Sequence, residues 1–301
     1  FLCKFCNIYD CWFYIFICLY LFVVSSQRKG YSLINMKDIP LGKESSIPIR
    51  YDPSLLIPLS RLDSRTKSGL REYTKYFYGR DYWTSYETSW LNGNGIPRNK
   101  ILNVSYSCES KFFIESKSFK LYLYSLNNKK FDSTKEVVSL IKNDLETALK
   151  SEVEVELINQ PREIEKNWTS LDSLEIDNID PHPNSLVLEP NNQDEVSEEV
   201  SCSLFRSLCP VTAQPDWATI YISYKGNGIE KKSLLRYLLS YRNHQGFHEE
   251  CVERIFLDIT KRIRIKELSV RANFLRRGGI EINPVRTTPG LAINIFREIR
   301  Q

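Results

Sequence analysis

The stretch SLCPVTAQPDW, residues 207–217, holds a cysteine and an aspartate whose types could do chemistry together. Asp216 directly precedes a predicted strand, and Pro210 and Pro215 keep the backbone beside Cys209 out of a helix. A thiolate is the reactive form of cysteine, and the Asp216 carboxylate could accept the thiol proton if burial raised its pKa toward neutrality. The alternative is that Cys209 is a small buried residue before a turn, the more common role of a single cysteine.

A histidine and a glutamate form a second candidate pair at the start of a predicted helix over 247–263. The helix N-terminus favours the neutral form of His248. The carboxylate of Glu249 can accept two parallel hydrogen bonds, which suits the N–H and amine edge of a guanine-like base. The alternative is an ordinary polar pair at the beginning of a helix.

Two further stretches carry charges that could hold an anion. ESKSFKLYLYS (115–125) supplies a carboxylate for a base edge and the side chains of Lys117 and Lys120 for a phosphate, or it is simply a charged edge strand. RRGG (276–279) lets arginines clamp an anion that approaches the glycine backbone, or it is an ordinary hairpin turn. No strand is followed by GxGxxG and no GxxxxGK[ST] occurs, so neither a Rossmann site nor a P-loop is supported.

A zinc site is the competing interpretation of the same residues. Cys209, His248 and Cys251 could be imagined as a Cys/His/Cys ligand set. Against this, Cys251 falls on the apolar face of its predicted helix, and the sequence has no HxxxH or CxxH group. We therefore expect no metal.

The elements that must position these residues are predicted from periodicity. In the first half, strands are predicted at 101–110, 119–126 and 152–159, and a helix at 133–150. Ser133 and Glu136 form a capping box at the start of that helix.

The second half repeats this theme after an acidic connector at 160–200, which carries one short strand around 185–188, whereas residues 37–75 look irregular. A strand is expected at 218–226, helices at 231–245 and 247–263, and strands at 268–275 and after the turn of 276–284. The fold class is therefore α+β, with two related units whose antiparallel sheets carry helices on one face.

Composition limits the partners and the compartment. The net charge of +4 over 301 residues is spread along the chain, which argues against a direct nucleic-acid partner. The only methionine is Met36, and the apolar run over 11–24 is shorter than the roughly 20 residues of a membrane span. We expect residues 1–35 to be upstream translation outside the true protein; a membrane or secretory segment is the alternative. No membrane association is expected for residues 36–301.

The cysteines outside that leader point to a reducing compartment. Cys108, Cys202, Cys209 and Cys251 lack paired or CxxC spacing, which favours reduced thiols and a cytoplasmic protein.

Four of these motifs in their order, ESKSFKLYLYS, SLCPVTAQPDW, FHEECVERIF and RRGGIEINP, resemble the NADPH-dependent 7-cyano-7-deazaguanine reductases, which are nitrile reductases. The segments at 41–61 and 81–92 resemble the longer, two-module form of that family. The resemblance implies tandem tunnel-fold modules, which we expect at 36–185 and 186–301, and a homodimer. It also implies reduction of a nitrile to a primary amine in queuosine biosynthesis, a pathway of tRNA modification. A zinc-dependent hydrolase of the same superfamily, similar to GTP cyclohydrolase, is the alternative.

By match of motif, the resemblance assigns roles to individual residues. Cys209 is implied to be the nucleophile that forms a thioimide with the nitrile, and Asp216 the proton donor. The implied substrate-binding residues are Ile114, Glu115, Ser116, His248 and Glu249. The implied NADPH contacts are Ser116, Lys117, Arg277 and Gly278.

Overall fold

The computed structural model describes residues 42–43, 46–76, 78–163 and 167–301, without the side chains of 73–75. The described residues belong to one compact unit that spans Ile39–Gln301. The predicted leader, residues 1–35, lies outside the described residues.

The described chain contains strands and helices in an α+β arrangement, as expected. The strands are β1 (Pro58–Ser60), β2 (Tyr78–Asn92), β3 (Pro97–Ser107), β4 (Phe112–Ile114), β5 (Lys130–Phe131), β6 (Val153–Ile158), β7 (Thr169–Ser170), β8 (Val196–Leu208), β9 (Pro215–Gly226), β10 (Ile265–Phe274) and β11 (Ile280–Thr287). The helices are α1 (Arg61–Lys67), α2 (Ser116–Ser125), α3 (Thr134–Leu149), α4 (Lys231–Leu239) and α5 (His248–Arg262). Short 3-10 helices lie at Pro53–Leu55, Arg71–Tyr76, Ser185–Val187 and Ser240–Asn243.

A single nine-stranded sheet runs through both halves of the described chain. Its order is β6-β3-β2-β11-β10-β9-β8-β7, with β5 beside β2. The pairs β7–β8 and β2–β5 are parallel, and the other neighbours are antiparallel. The strand β11 pairs with β2 from Ile280 opposite Ser85 to Thr287 opposite Tyr78, and this pairing joins the two halves. A separate two-stranded sheet pairs β1 with β4.

One face of the large sheet forms the core with the helices. Alternate residues of β10, such as Val270 and Ala272, are buried against α5, and the residues between them belong to the opposite, polar face. A second core cluster joins β2, β3 and β6 to α2 and α3. The expectation of antiparallel strands with helices on one face is confirmed; the division at 185/186 stays a prediction.

The helix cap predicted at Ser133 is confirmed, but Glu136 accepts from Asp132 rather than from the backbone N–H of Ser133 that a strict capping box requires. The Ser133 hydroxyl accepts a hydrogen bond from the backbone N–H of Glu136 at 3.3 Å. The Glu136 carboxylate accepts one from the backbone N–H of Asp132 at 3.2 Å. The helix α3 buries Val137, Ile141, Leu145 and Leu149, the spacing that the sequence predicts.

The strand predicted at 119–126 is wrong, because these residues belong to α2. Glu115 caps this helix by accepting hydrogen bonds from the backbone N–H groups of Lys117 and Ser118 at 2.8 and 2.6 Å. Phe119, Tyr122 and Leu123 are buried at the three- and four-residue spacing of one helix face. The alternation of apolar and polar residues in FKLYLYSL is equally typical of a strand, and the cap decides between them.

Two other local predictions are corrected by side-chain caps. The short strand expected around 185–188 is a 3-10 helix whose first amide groups are capped by Asn184, which accepts from Leu186 N at 3.0 Å. The stretch 37–75, expected to be irregular, contains α1, which Ser60 caps by accepting from Asp63 N at 3.2 Å. The helix predicted at 231–245 ends as α4 at Leu239 and continues as a 3-10 turn.

Within the described part of the chain, no helix combines the length and the apolar character that a membrane crossing requires.

Candidate active site

A cavity of about 560 Å³ lies between the two halves of the described chain. Its walls are apolar at Trp83, Phe113, Phe247 and Leu275. The residues to which the family resemblance assigns a site role all line it as well: Ile114, Glu115, Ser116, Lys117, Cys209, Asp216, His248, Glu249, Arg277 and Gly278. The structure therefore brings together residues that lie far apart in the sequence.

The hairpin between β8 and β9 places Cys209 in the cavity wall. The backbone N–H of Cys209 donates to the carbonyl of Gln214 at 2.8 Å, and Ala213 N–H donates to the carbonyl of Cys209 at 3.0 Å. Ala213 takes a left-handed conformation with φ of 55°, which tightens this turn. Cys209 is 5% exposed, but it lines the cavity rather than the interior of the core. Burial and access to a ligand are therefore combined at this thiol.

The carboxyl group of Asp216 lies between two basic side chains. Its Oδ1 is 3.0 Å from Nε of Arg277 and 3.5 Å from Nε2 of His248. Arg277 also donates to the carbonyl of Pro215 and, at 3.3 Å, to the side chain of Gln214. These contacts hold the carboxyl group at the cavity, 6% exposed, with an imidazole beside it that can exchange a proton.

The start of α5 contributes an imidazole and a carboxylate with unused hydrogen-bonding atoms. The His248 ring stacks on Phe274 with centroids 3.7 Å apart, and its Nδ1 has no partner within the described residues. Glu249 is 6% exposed, and its Oε1 is likewise without a partner there. The pKa of Glu249 is raised to about 7, mainly by burial and to a smaller extent by the negative charge of Asp81. A buried unpaired acceptor at a cavity is a site for a hydrogen-bond donor of a ligand.

The start of α2 supplies a second carboxylate, whose oxygen atoms already accept hydrogen bonds from backbone N–H groups. Glu115 is 1% exposed, and burial raises its pKa, while the backbone N–H groups of Lys117 and Ser118 oppose that rise. The Glu115 N–H donates to the carbonyl of Ile57 at 3.0 Å, which fixes the turn between β4 and α2. Glu115 therefore combines a structural cap with a position in the cavity wall.

A cationic rim at one end of the cavity fits a phosphate-bearing cofactor. Lys117, Lys120 and Arg277 line the cavity, and an adjoining cavity of about 360 Å³ is lined by Lys120 and Arg276. Gly278 has a φ of +58°, and a Cβ there would come within 2.2 Å of the Lys120 ammonium nitrogen. The absence of a side chain at Gly278 thus leaves room for Lys120 beside the cavity, and the cations of this rim suit the phosphates of NADPH.

Several residues of the site carry no signal in the sequence that singles them out. Trp83 is 2% exposed and lines the cavity, with its ring packed edge-on against Phe119 at 5.7 Å. Phe113 and Phe247 pack edge-on at 5.1 Å and bring the start of α2 close to the start of α5. Apolar residues with this periodicity are indistinguishable from core residues until the fold shows which of them border the cavity.

The described residues contain no group of three or more His, Cys, Asp or Glu side chains that could hold a metal ion. Cys251, the third ligand of the zinc alternative, is fully buried in the core beside Val252 and Ile255. Burial raises the pKa of its thiol, which disfavours the thiolate that zinc binds. The zinc alternative has no ligand set in the part of the chain that the structure describes.

Two family models match separate parts of this chain. The family model for the N-terminal part of the nitrile reductase 7-cyano-7-deazaguanine reductase matches residues 48–157, and the model for QueF-like proteins matches residues 215–290. The NADPH-dependent 7-cyano-7-deazaguanine reductase of Xanthomonas campestris pv. campestris strain 8004 is 44% identical over 88% of this chain and 98% of its own length. That of Hahella chejuensis is 42% identical with the same coverage of both chains.

Among solved structures, the apo form of an archaeosine synthase QueF-Like covers 34% of this chain and 100% of its own, with 17% identity and a TM-score of 0.29, a likeness too slight to carry an argument. The chain belongs to the family of NADPH-dependent 7-cyano-7-deazaguanine reductases.

Proposed function

We propose that this chain uses NADPH to reduce the nitrile of 7-cyano-7-deazaguanine to the primary amine of 7-aminomethyl-7-deazaguanine, a step of queuosine biosynthesis. The observation that carries the proposal is the convergence of Cys209, Asp216 and Glu249 on one cavity that has a cationic rim. Family membership supports the substrate and the cofactor, since the relatives are named for both.

The carboxylates of Glu249 and Glu115 bind the deazaguanine base. The unpartnered Oε1 of Glu249 accepts from the N–H and amine edge of the base, and Glu115 accepts a further donor with the lone pairs that its cap leaves over. The backbone at Ile114 and Ser116 borders the same wall, and His248 lies beside Asp216. The aromatic rings of Trp83 and Phe113 cover the faces of a planar ligand and keep water away.

The thiol of Cys209 converts an inert nitrile into a reducible group. The S–H bond of Cys209 breaks as its proton passes to the Asp216 carboxylate, and a bond forms between Sγ and the nitrile carbon. One C≡N π pair moves to nitrogen, which takes the proton from Asp216, and this gives a thioimide. His248, with Nε2 3.5 Å from the Asp216 carboxyl group, returns a proton to it. Covalent addition replaces one difficult reduction by two easier steps.

NADPH, when bound, supplies a hydride in each of two rounds. Loss of the Cys209 thiol after the first round leaves an imine, and the second round gives the amine. Overall, one nitrile, two NADPH and two protons give one primary amine and two NADP⁺. Ser116, Lys117, Arg277 and Gly278 hold the cofactor at the rim, and the surrounding walls shield the imine from water.

The decisive experiment is incubation of the protein with the nitrile alone, followed by intact-mass analysis. We expect the mass to rise by that of one nitrile, with no adduct in Cys209→Ala and slower turnover in Asp216→Asn. Cys202→Ala is the matched control, because Cys202 is fully buried in the core, where burial raises its pKa to about 12. An adduct that survives in Cys209→Ala, or none in the wild type, contradicts the proposal.

We also propose that the protein is a cytoplasmic homodimer of two-module chains, with modules at 36–185 and 186–301, and that it binds no nucleic acid directly. The resemblance to the two-module form of the family supports this. Size-exclusion chromatography with light scattering tests the dimer, and a monomer at micromolar concentration contradicts it.

A further inference from the structure

The guanidinium group of Arg277 ties the turn between β10 and β11 to the hairpin between β8 and β9. Its Nε lies 3.0 Å from Oδ1 of Asp216. Its two terminal nitrogens donate to the carbonyl of Pro215 and, at 3.3 Å, to the side-chain oxygen of Gln214. A guanidinium group has five N–H donors, so most of those of Arg277 are directed at the segment that carries the candidate proton donor.

The backbone of Arg277 is fixed, whereas its side chain reaches solvent. The N–H of Arg277 donates to the carbonyl of Ile280 at 2.8 Å, and the N–H of Ile280 donates back at 3.2 Å. Between them, Gly278 and Gly279 have φ values of +58° and +81°, as the central residues of a tight hairpin turn do. The Arg277 side chain is 44% exposed, against 7% for that of Asp216. The guanidinium group can therefore move to another partner while the turn and the carboxyl group stay in place.

Arg277 lies between the carboxyl group of Asp216 and the cationic rim. It lines the cavity together with Lys117 and Lys120, which carry the other positive charges of the rim. A phosphate can take two parallel N–H bonds from one guanidinium group, which is a stronger interaction than the single bond from Nε to Asp216. An ion pair with an exposed partner is weakly held. A phosphate at the rim can therefore draw Arg277 away from Asp216.

The ion pair with Arg277 opposes the proton transfer that the proposed mechanism requires of Asp216. A carboxylate beside a cation holds a proton less readily than one without, because the cation stabilises the charged form. Asp216 must hold the proton of the Cys209 thiol before it passes to the nitrile nitrogen, and an acid–base group works best when its proton affinity suits the working pH. Release of Arg277 leaves the carboxyl group beside His248, whose Nε2 is 3.5 Å away.

We propose that Asp216 and the phosphates of NADPH compete for Arg277, so that cofactor binding releases Asp216 for proton transfer. Arg277 is then a positioning residue that couples occupancy of the rim to formation of the thioimide. This inference rests on the proposed function, because it takes Arg277 as a cofactor contact and Asp216 as the proton partner of Cys209. It adds an order of events, in which the thioimide forms fastest once the cofactor is bound.

The first test is a double-mutant cycle on the dissociation constant of NADP⁺, measured without the nitrile. Asp216→Asn should tighten binding roughly five- to tenfold, because it removes the competitor for Arg277. Arg277→Gln should weaken binding, and adding Asp216→Asn to it should change the affinity no further. Direct repulsion between Asp216 and the cofactor would instead tighten binding by the same factor with or without Arg277.

The second test is the rate at which the nitrile adduct forms, followed by intact mass with and without NADP⁺, which carries no hydride to transfer. NADP⁺ should speed adduct formation in the wild type roughly five- to tenfold. Arg277→Gln should form the adduct at the faster rate without NADP⁺ and should respond to it no further. A merely structural role of Arg277 would make the variant slower, because the hairpin that carries Cys209 would be less well held.

Glu195→Gln is the matched control, because it neutralises an exposed carboxylate that pairs with Lys266 and does not line the cavity. It should leave both measurements unchanged. The inference is overturned if Asp216→Asn does not tighten NADP⁺ binding, or if the tightening persists without Arg277. If the variants do not fold, the wild type decides, since adduct formation that NADP⁺ does not speed overturns the inference as well. A wild type that binds no NADP⁺ or forms no adduct contradicts the proposed function itself.

Discussion

Two helix starts in this chain share one capping motif, yet only one of them lines the candidate active site. Glu115 accepts from Lys117 N and Ser118 N at 2.8 and 2.6 Å. In the second half, Glu230 accepts from Lys232 N and Ser233 N at 3.0 and 2.6 Å.

The likeness extends beyond the caps. The hydroxyl groups of Ser118 and Ser233 donate to the carbonyl oxygens of Glu115 and Glu230 at 2.7 and 2.8 Å. One helical turn further, tyrosines bond to an aspartate of the next helix, Tyr122 to Asp144 at 2.6 Å and Tyr237 to Asp258 at 2.7 Å. This repetition supports the proposed division into two related modules.

The difference lies in what faces each helix start. The first faces Cys209 and the beginning of α5 across the cavity, whereas none of Glu230, Lys231, Lys232 and Ser233 lines that cavity. Lys231 instead pairs with Glu198 at 3.4 Å. The motif is therefore a helix cap in both halves of the described chain, and its chemistry depends on the segments that pack opposite it.

The largest difference between the two helix starts is expected when each capping carboxylate is replaced separately by an amide. Glu115→Gln and Glu230→Gln should each cost about 1 kcal/mol of stability, because each weakens an N-cap. Only Glu115→Gln should also weaken nitrile binding, by roughly 10- to 100-fold, the value of a hydrogen bond to a charged acceptor. Melting temperatures and dissociation constants measure the two effects, and equal binding by both variants would remove Glu115 from the site.

A smaller effect is expected from the matched lysines. Lys117→Ala should raise the KM for NADPH roughly tenfold, because one charge-assisted contact to a phosphate is lost. Lys232→Ala, at the equivalent position of the second helix, should leave it unchanged. Steady-state kinetics at low and high salt test this. Because salt screens the charge of Lys117, the difference in KM for NADPH between Lys117→Ala and the wild type should be smaller at high salt. A KM that rises in neither variant contradicts the assignment of the cationic rim.

A pH-dependent effect contrasts Glu115, which caps a helix, with Glu249, whose Oε1 has no partner among the described residues. The pKa of Glu249 is raised in the folded chain from 4.5 to about 7, so its contribution to stability is complete below pH 4.5 and is lost as the pH rises through 7. Glu249→Gln should therefore gain stability relative to the wild type over this interval, by at most roughly 3 kcal/mol. Melting temperatures from pH 4 to 8 measure it; a difference that does not change with pH would contradict the raised pKa.

Local patterns predicted most of the elements of the fold. Alternation identified β3, β6, β9 and β10, and the apolar spacing with the Ser133 capping box identified α3. The errors at α2 and at 185–188 arose where short segments fit both periods, and the deciding interactions there are single side-chain caps. The capping residues are visible in the sequence, but the same residue types also occur in strands and turns, so the sequence alone does not show that they cap a helix.

The candidate site was predictable in its residue types and motifs, but not in its geometry. Four separated motifs identified Cys209, Asp216 and the His–Glu pair of α5, because their chemistry is carried by short stretches. The sequence offered no signal for the ion pair of Arg61 with Asp81 behind the site, since a buried pair between distant elements leaves no local pattern.

The amino-acid sequence by itself determined most of the strands and helices and the candidate catalytic side chains, because each of these is carried by a short stretch of neighbouring residues. Only the tertiary structure decided that Glu115, which caps α2, lies in the same cavity as Cys209 and that Asp216 lies beside Arg277. It also decided that the Oε1 atom of Glu249 is left without a partner among the described residues. Those outcomes depend on contacts between segments far apart in the chain, which form when both halves bury their apolar faces against one sheet.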